Sequence, residues 1–402
     1  LDDGAISNAA DLQSLSTALR TLHAGGTTSI DLVNITSAIS GTFVQLNALI
    51  TGVGTRYSNL SGRALTENSG GDISVNNANT LSGATSGVVT ATIAAGNLAT
   101  VNGLTDGSQP SGGNAFTVTV NDTKVDAGDL KLLNDKENSN GSITTVNLVA
   151  LEGSFSELQQ FILDTGDYTG DTAIAAVALN VGEAISSAND LQTLSTNFRT
   201  LKAVDDNVTI DLTSITKITG SDFEKVEAIV DGVGSIYSNL DGTSLTVNAS
   251  DTISVLEANK LNTAVSAGGG VVQATLTGGL LSSYTGLAGT GNAYSVTIGD
   301  TSVDAGDLAS LDAKTTVQVN IGNLTKLTGD FSEHQTFYTT RNNFSGISGI
   351  ATFDLNTAEA LGDASALTTF VTNVRTNVNG SAVVKLSSIS FLFSNLYIPE
   401  HA

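Results

Sequence analysis

Gly113-Asn114-Ala115-Phe116-Thr117-Val118-Thr119-Val120 and, close behind it, Val125-Asp126-Ala127-Gly128-Asp129-Leu130-Lys131-Leu132-Leu133 carry the reading on which the fold turns. Alternation puts Phe116, Val118 and Val120 on one face and Thr117 and Thr119 on the other, the period of a half-buried strand. The period then changes. Asp126 or Asp129 can satisfy the free N–H groups of a helix start, and Leu130 and Leu133 share one helical face. The same order follows downstream, with Ser142-Ile143-Thr144-Thr145-Val146-Asn147-Leu148 reading as strand and Ser154-Phe155-Ser156-Glu157-Leu158-Gln159-Gln160-Phe161-Ile162-Leu163 as helix. A crossover long enough for a helix predicts parallel pairing of successive strands and a right-handed connection.

This segment belongs to a duplicated unit. Val125 to Leu130 returns as Val303-Asp304-Ala305-Gly306-Asp307-Leu308, and Tyr57-Ser58-Asn59-Leu60 as Tyr237-Ser238-Asn239-Leu240. Ala5-Ile6-Ser7-Asn8-Ala9-Ala10-Asp11-Leu12 returns as Ala184-Ile185-Ser186-Ser187-Ala188-Asn189-Asp190-Leu191. The displacement stays between 178 and 180 residues (125 to 303, 57 to 237), so the copies are nearly collinear. A third copy opens near Ala358, with Leu367 to Arg375 echoing Leu191 to Arg199, and stops soon after Ile389. The organisation expected is therefore a first long repeat over 1–183, a second over 184–357, and a partial third over 358–402 with an atypical apolar end.

A shorter signature recurs inside the repeats: Ile39-Ser40-Gly41-Thr42-Phe43, Leu151-Glu152-Gly153-Ser154-Phe155, Ile218-Thr219-Gly220-Ser221-Asp222-Phe223 and Leu327-Thr328-Gly329-Asp330-Phe331. Glycine is expected to permit a turn, the hydroxyl or Asp to cap a helix, and Phe to enter the core. Strand starts near 28, 63, 88, 115, 142, 173 and 208 give coils of roughly 25 to 35 residues, in the solenoid range. The fold class that follows is α/β: a right-handed β/α solenoid of stacked strand-helix coils with one parallel sheet, about thirteen coils at ~4.8 Å making a rod on the order of 60 Å long. Alternate Thr and Asn positions leave one sheet face open. The alternative is a tandem of antiparallel β-sandwich, adhesin-like domains.

Composition narrows the partners. Sixteen Lys+Arg against 39 Asp+Glu give a net charge of −23, which repels phosphate backbones and anionic headgroups, so nucleic acid is not an expected partner. Charged residues make up only 14% of the chain and aromatic ones 5%, so Thr, Ser, Asn and Gly must form the surface. With no Cys there is no disulfide, thiolate zinc site or Cys nucleophile. No apolar run approaches the ~20 residues of a transmembrane helix. A start at Leu1-Asp2-Asp3-Gly4 without any Met reads as a processed chain or a part of a longer product.

Gly87-Val88-Val89-Thr90-Ala91-Thr92 and Gly270-Val271-Val272-Gln273-Ala274-Thr275, with Gly113 to Thr119 and its counterpart Gly291-Asn292-Ala293-Tyr294-Ser295-Val296-Thr297, carry a family likeness. The pattern resembles the very large repetitive extracellular surface proteins of marine picocyanobacteria, and fibre-like proteins of the viruses that infect those cells. It covers most of the chain up to about Ile389. The resemblance implies an exported protein, structural or adhesive, at a cell surface or on a virion. Members often carry calcium-binding nonapeptide repeats near a secretion signal. This chain lacks the Gly-Gly-x-Gly-x-Asp nonapeptide, so export route and calcium role do not carry over with it.

Chemical candidates are few. His23 and His334 fall opposite Ala203 and Leu158 in the other copy, so neither is a repeated ligand, and His401 lies in the tail. No Gly-x-Ser-x-Gly elbow is followed by Asp and His in order. Asp122, Asp126 and Asp129, with Asp300, Asp304 and Asp307, are the candidate metal ligands, because hard oxygen donors at this density suit Ca²⁺. Helix capping accounts for the same acids and is the favoured reading; no cofactor is required by the sequence. Phe391, Phe393, Leu396, Tyr397 and Ile398 form an apolar tail that either caps the last coil or docks into a neighbouring subunit. Self-association, head-to-tail or lateral, is the expected partnership, with a surface glycan as another partner.

Three classes of function are in play. The expectation is a non-enzymatic extracellular structural or adhesive repeat protein, a rigid rod in a surface layer, filament or appendage. The alternatives are a viral fibre or a carbohydrate-binding module using the Thr/Asn-rich sheet face. An enzyme such as a polysaccharide lyase would need acids and bases gathered in one groove, and the basic residues do not recur in register.

Overall fold

The computed structural model describes residues 6–23, 27–105, 113–170, 174–180, 182, 184–185, 187–201, 207–355, 360–361, 364–387 and 390–391. Helices alternate with short strands throughout: α1 (Ala9–Leu22), α2 (Phe43–Thr51), α3 (Val75–Ala84), α4 (Leu98–Val101), α5 (Ala127–Asn134), α6 (Phe155–Leu163), α7 (Ala188–Leu201), α8 (Phe223–Asp231), α9 (Val255–Val265), α10 (Ala305–Asp312), α11 (Phe331–Thr340) and α12 (Ala364–Asn377). The fold is mixed α/β, and every pairing between the described strands is parallel. The antiparallel sandwich finds no support in those pairings. The chain divides into two compact units, one of residues 1–181 and 193–214, the other of 182–192 and 215–402.

In the first unit, Ile39 lies opposite Leu65, Leu65 opposite Val89, Ala91 opposite Phe116, Val118 opposite Ile143, and Ile143 opposite Tyr168. Each strand thus pairs with one 24 to 26 residues further along. A second ladder runs Val125, Leu151, Val177, Ile210. The second unit has its own ladders, Ile185, Ile218, Leu245, Val272 in one and Val303, Leu327, Phe353, Val384 in another. The single sheet expected from the sequence is therefore several parallel sheets. The reason is local: a coil such as 115–134 holds two strands, Ala115–Val120 and Lys124–Asp126, before its helix, and each strand joins a different ladder.

The core follows from the alternation. Ile39, Leu65, Val89, Phe116 and Val118 are fully buried, and Leu46, Leu81 and Leu130 from the helices are buried with them. Each such side chain contributes about 1.5–3 kcal/mol by leaving water. The helix starts are set by side chains. Thr42, Ser154 and Asp330 each accept from the third backbone N–H of their helix, and Gln45, Glu157 and Glu333 return a bond to the cap, three complete capping boxes. Asp222 caps α8 through the Lys225 N–H.

Glycine in the recurring signature has a different task from the turn expected of it. Gly41, Gly153 and Gly220 are strand residues. A Cβ on Gly41 would stand 2.9 Å from Ala9 Cβ, and one on Gly220 2.4 Å from Val226 Cγ2, so close packing against the helix excludes a side chain there. Gly329, the fourth signature glycine, is a strand residue too but with φ of +144°, and positive φ recurs outside the signature. Gly170 has φ of +91°, and a Cβ on it would lie 1.9 Å from the Thr145 carbonyl oxygen. Asn59 and Asn239, at equivalent places in the two copies, both adopt φ of 59°.

Two buried asparagines stitch neighbouring coils. Asn114 Oδ1 accepts from the Val89 N–H at 3.0 Å, and its Nδ2 donates to Ser82 Oγ at 3.0 Å and the Thr105 carbonyl at 3.3 Å. Asn292 repeats the arrangement, accepting from the Val272 N–H at 2.8 Å and donating to Asn262 Oδ1 at 2.9 Å. Both side chains are essentially inaccessible, and all these bonds except the one to the Thr105 carbonyl are made away from water.

Candidate functional site

The six candidate metal ligands are spread over helix starts. Asp126 accepts from the N–H groups of Gly128 and Asp129, at 2.9 and 3.2 Å, and caps α5; its other oxygen takes Asn180 Nδ2 at 2.9 Å. Asp304 caps α10 through Gly306 and Asp307. Asp122 Oδ2 accepts from the Leu98 N–H at 2.5 Å, and Asp300 Oδ2 from the Leu281 N–H at 2.6 Å, so each caps a short helix of the neighbouring coil. Asp129 and Asp307 occupy the first turns of α5 and α10, where a negative charge meets the helix dipole. Among the described residues no three His, Asp or Glu side chains are grouped so as to hold a metal ion.

Of the tail residues, Phe391 lies in the strand Ser390–Phe391, paired with Ala360–Leu361. The coil pattern thus runs two residues past Ile389. Phe393, Leu396, Tyr397 and Ile398 lie outside the described residues. His23 is exposed at the end of α1. His334 is fully buried on α11, with its ring 5.8 Å from that of Phe353 and 6.1 Å from that of Phe370. Burial drives its pKa below the usual histidine value, so it is neutral at pH 7.

The outer face of the ladders carries the recurring surface chemistry. Ser40, Thr66 and Thr90 stand opposite one another on successive strands, as do Thr92, Thr117 and Ser142, and then Thr119, Thr144 and Thr169. All are exposed or half-buried. In the second unit Thr219, Thr246 and Gln273 form a like row. At ~4.8 Å between strands, such rows make a neutral surface dense in donors and acceptors. Thr169 Oγ1 donates to Thr144 Oγ1 at 2.9 Å, so neighbouring hydroxyls can bond within the row. The other ladders carry charge instead, with Lys124 paired to Glu152, and Lys326 paired to Asp354 at 2.7 Å.

A polar cleft of about 370 Å³ opens beside Asn134, Glu137, Ser142 and Asp167. Glu137 Oε2 accepts from the Phe116 N–H at 2.8 Å, while Oε1 is buried without a partner among the described residues. Burial pushes the carboxyl up to about 8, so it holds its proton at neutral pH. Gly141 makes room for it, since a Cβ there would lie 2.5 Å from Oε2. In the second copy the matching position is Thr315, whose hydroxyl donates to the Tyr294 carbonyl at 2.7 Å. That cleft is smaller, about 270 Å³, and its amide–carboxylate bridge is reversed: Asn134 donates to Asp167 in the first copy, Asn343 to Asp312 in the second. Sequence reading passed over Glu137. Laying one copy on the other exposes it, as an acid where the fold is satisfied by a hydroxyl.

No known protein family matches the chain, and no curated protein matches its sequence. Among the described residues no helix is long and apolar enough to cross a membrane.

Proposed function

We propose that this chain is a non-enzymatic structural or adhesive repeat protein of an extracellular surface, a component of a layer, filament or appendage on a cell or a virion. The observation that carries the reading is the combination of parallel ladders, stepped by 24 to 26 residues in the first of them, with neutral hydroxyl rows on the outer face of two. Coils that contact only their neighbours let length grow by duplication, and the near-collinear copies have the form such growth leaves. Outward hydroxyls at regular spacing suit repeated weak contacts with a neutral polymer or with further copies, whereas the net charge of −23 disfavours anionic surfaces. Self-association and glycan contact are both uses of this face.

Deleting the gene and imaging the intact source cells or particles by electron cryomicroscopy tests the proposal. A layer, filament or appendage that disappears and returns on complementation is the expected result. An unchanged surface, together with localisation of the protein to the cell interior, would overturn it.

A further inference from the structure

A groove of about 490 Å³ lies between α11 and α12, lined by Gln335, Tyr338, Thr369, Phe370 and Asn373 among others, none of the lining residues charged. It falls within the ~300–1,000 Å³ of small-molecule sites. Tyr338 is held in place: its hydroxyl accepts from Asn377 Nδ2 at 2.8 Å, and the Arg341 guanidinium sits 4.5 Å from the ring centroid. Arg341 does not line the groove, so the ring presents other surface to it. Phe370 closes the floor, nearly fully buried and packed edge-on against Phe331 at 5.7 Å. The side-chain amides of Gln335 and Asn373 make no hydrogen bond within the described residues.

The preceding repeat unit supplies an internal comparison. Matching α11 to α6 and α12 to α7 puts Gln159 for Gln335, Thr193 for Thr369 and Asn197 for Asn373, while Ile162 stands for Tyr338 and Leu194 for Phe370. Gln335, Thr369 and Asn373 keep their residue type between copies, whereas Thr339, Ser365 and Ala366 stand for Leu163, Asn189 and Asp190, and Tyr338 and Phe370 have become aromatic. Phe370 is exchanged against the buried Phe198, whose place Val374 takes, and so serves the core; Tyr338, half-buried where the other copy has Ile162, is the ring gained at the groove.

We propose that the groove between α11 and α12 is a binding site for a neutral saccharide unit, with Tyr338 as the aromatic platform and the Gln335 and Asn373 amides reading ring hydroxyls. Sugar rings present apolar C–H faces to aromatic surfaces and hydroxyl edges to amides, and the groove offers both. Anionic sugars are disfavoured because no cation lines it. The site deepens the adhesive reading above and rests on it for biological purpose, not for its chemistry.

Isothermal titration of the full chain with cellohexaose, mannohexaose and laminarihexaose, and with hexagalacturonate as the acidic control, tests the site. At least one neutral hexasaccharide should bind, at least tenfold more tightly than the control. Tyr338→Ala and Asn373→Ala should each weaken it about tenfold, while Gln159→Ala in the first copy leaves it unchanged. Circular dichroism checks each variant's fold; should Tyr338→Ala not fold, Gln335→Ala, at an exposed position, takes its place. No binding of any neutral probe, stronger binding of the acidic control, or binding indifferent to the folded groove variants would overturn the proposal. The imaging experiment above does not depend on this titration, so the two readings fail separately.

Discussion

Asn114→Ala tests how the coils are held together. The substitution removes the acceptor of the Val89 N–H and the donor to Ser82 Oγ and the Thr105 carbonyl, all at a side chain with no exposed surface. An orphaned buried N–H costs about 1–3 kcal/mol, and each other bond about 0.5–1.5. The Thr105 bond is long, and Ser82 keeps its own bond to Thr105 at 3.2 Å, so the expected loss is about 3 kcal/mol. Asn292→Ala should do the same through Val272. Asn114→Asp is the discriminating variant. It keeps the acceptor but turns a second oxygen toward Ser82 and Thr105, so it should be at least as damaging as Ala at neutral pH. Urea unfolding gives the magnitude, and amide hydrogen exchange locates it: Val89 should lose protection in Asn114→Ala and Val272 in Asn292→Ala. A loss below about 1 kcal/mol with Val89 exchange unchanged would refute the bridging role.

Four further outcomes are expected. Asp126→Ala and Asp304→Ala should each cost about 1 kcal/mol, the usual value of a helix cap, measured by chemical denaturation. With four of the six aspartates acting as caps and two sitting in first turns, excess Ca²⁺ and chelator should give the same thermal midpoint; a rise of several degrees with Ca²⁺, abolished by Asp126→Ala, would speak for a calcium site. His334 is neutral when folded, so the unfolded chain takes the proton first as pH drops below ~6.5, at a cost of up to ~1.4 kcal/mol per pH unit. The nearby Asp304, Asp330 and Asp354 soften that slope, and His334→Leu should remove it in acid unfolding curves. Glu137 works in the other direction: it keeps its proton to about 8 when folded against 4.5 unfolded, so its cost grows as pH rises between those values. Glu137→Gln should gain on the parent across that window and level off above it.

Much of the fold was legible because its signals are repeated. Phe116 to Val120 alternates cleanly, Asp126 and Asp304 sit where caps are needed, and the copies check one another at these elements. The second strand of each coil was not legible. Lys124–Asp126 and Tyr57–Ser58 are too short to show a period, so the division into several ladders could not be read from them. Signature glycines misled for a related reason, because close packing against a helix and a turn leave the same letter. The capping role of Asp122 and Asp300 depends on which coil lies alongside, and spacing alone left capping and metal binding open. Glu137 and Tyr338 are departures between copies, visible once the structure shows that Thr315 and Ile162 occupy the matching places.

The most direct measurement is brief protease shaving of intact source cells or particles, followed by mass spectrometry of the released peptides. A surface repeat protein should yield peptides from both long repeats before any cytoplasmic marker appears. Release of this chain only after lysis, together with the interior markers, would contradict the reading.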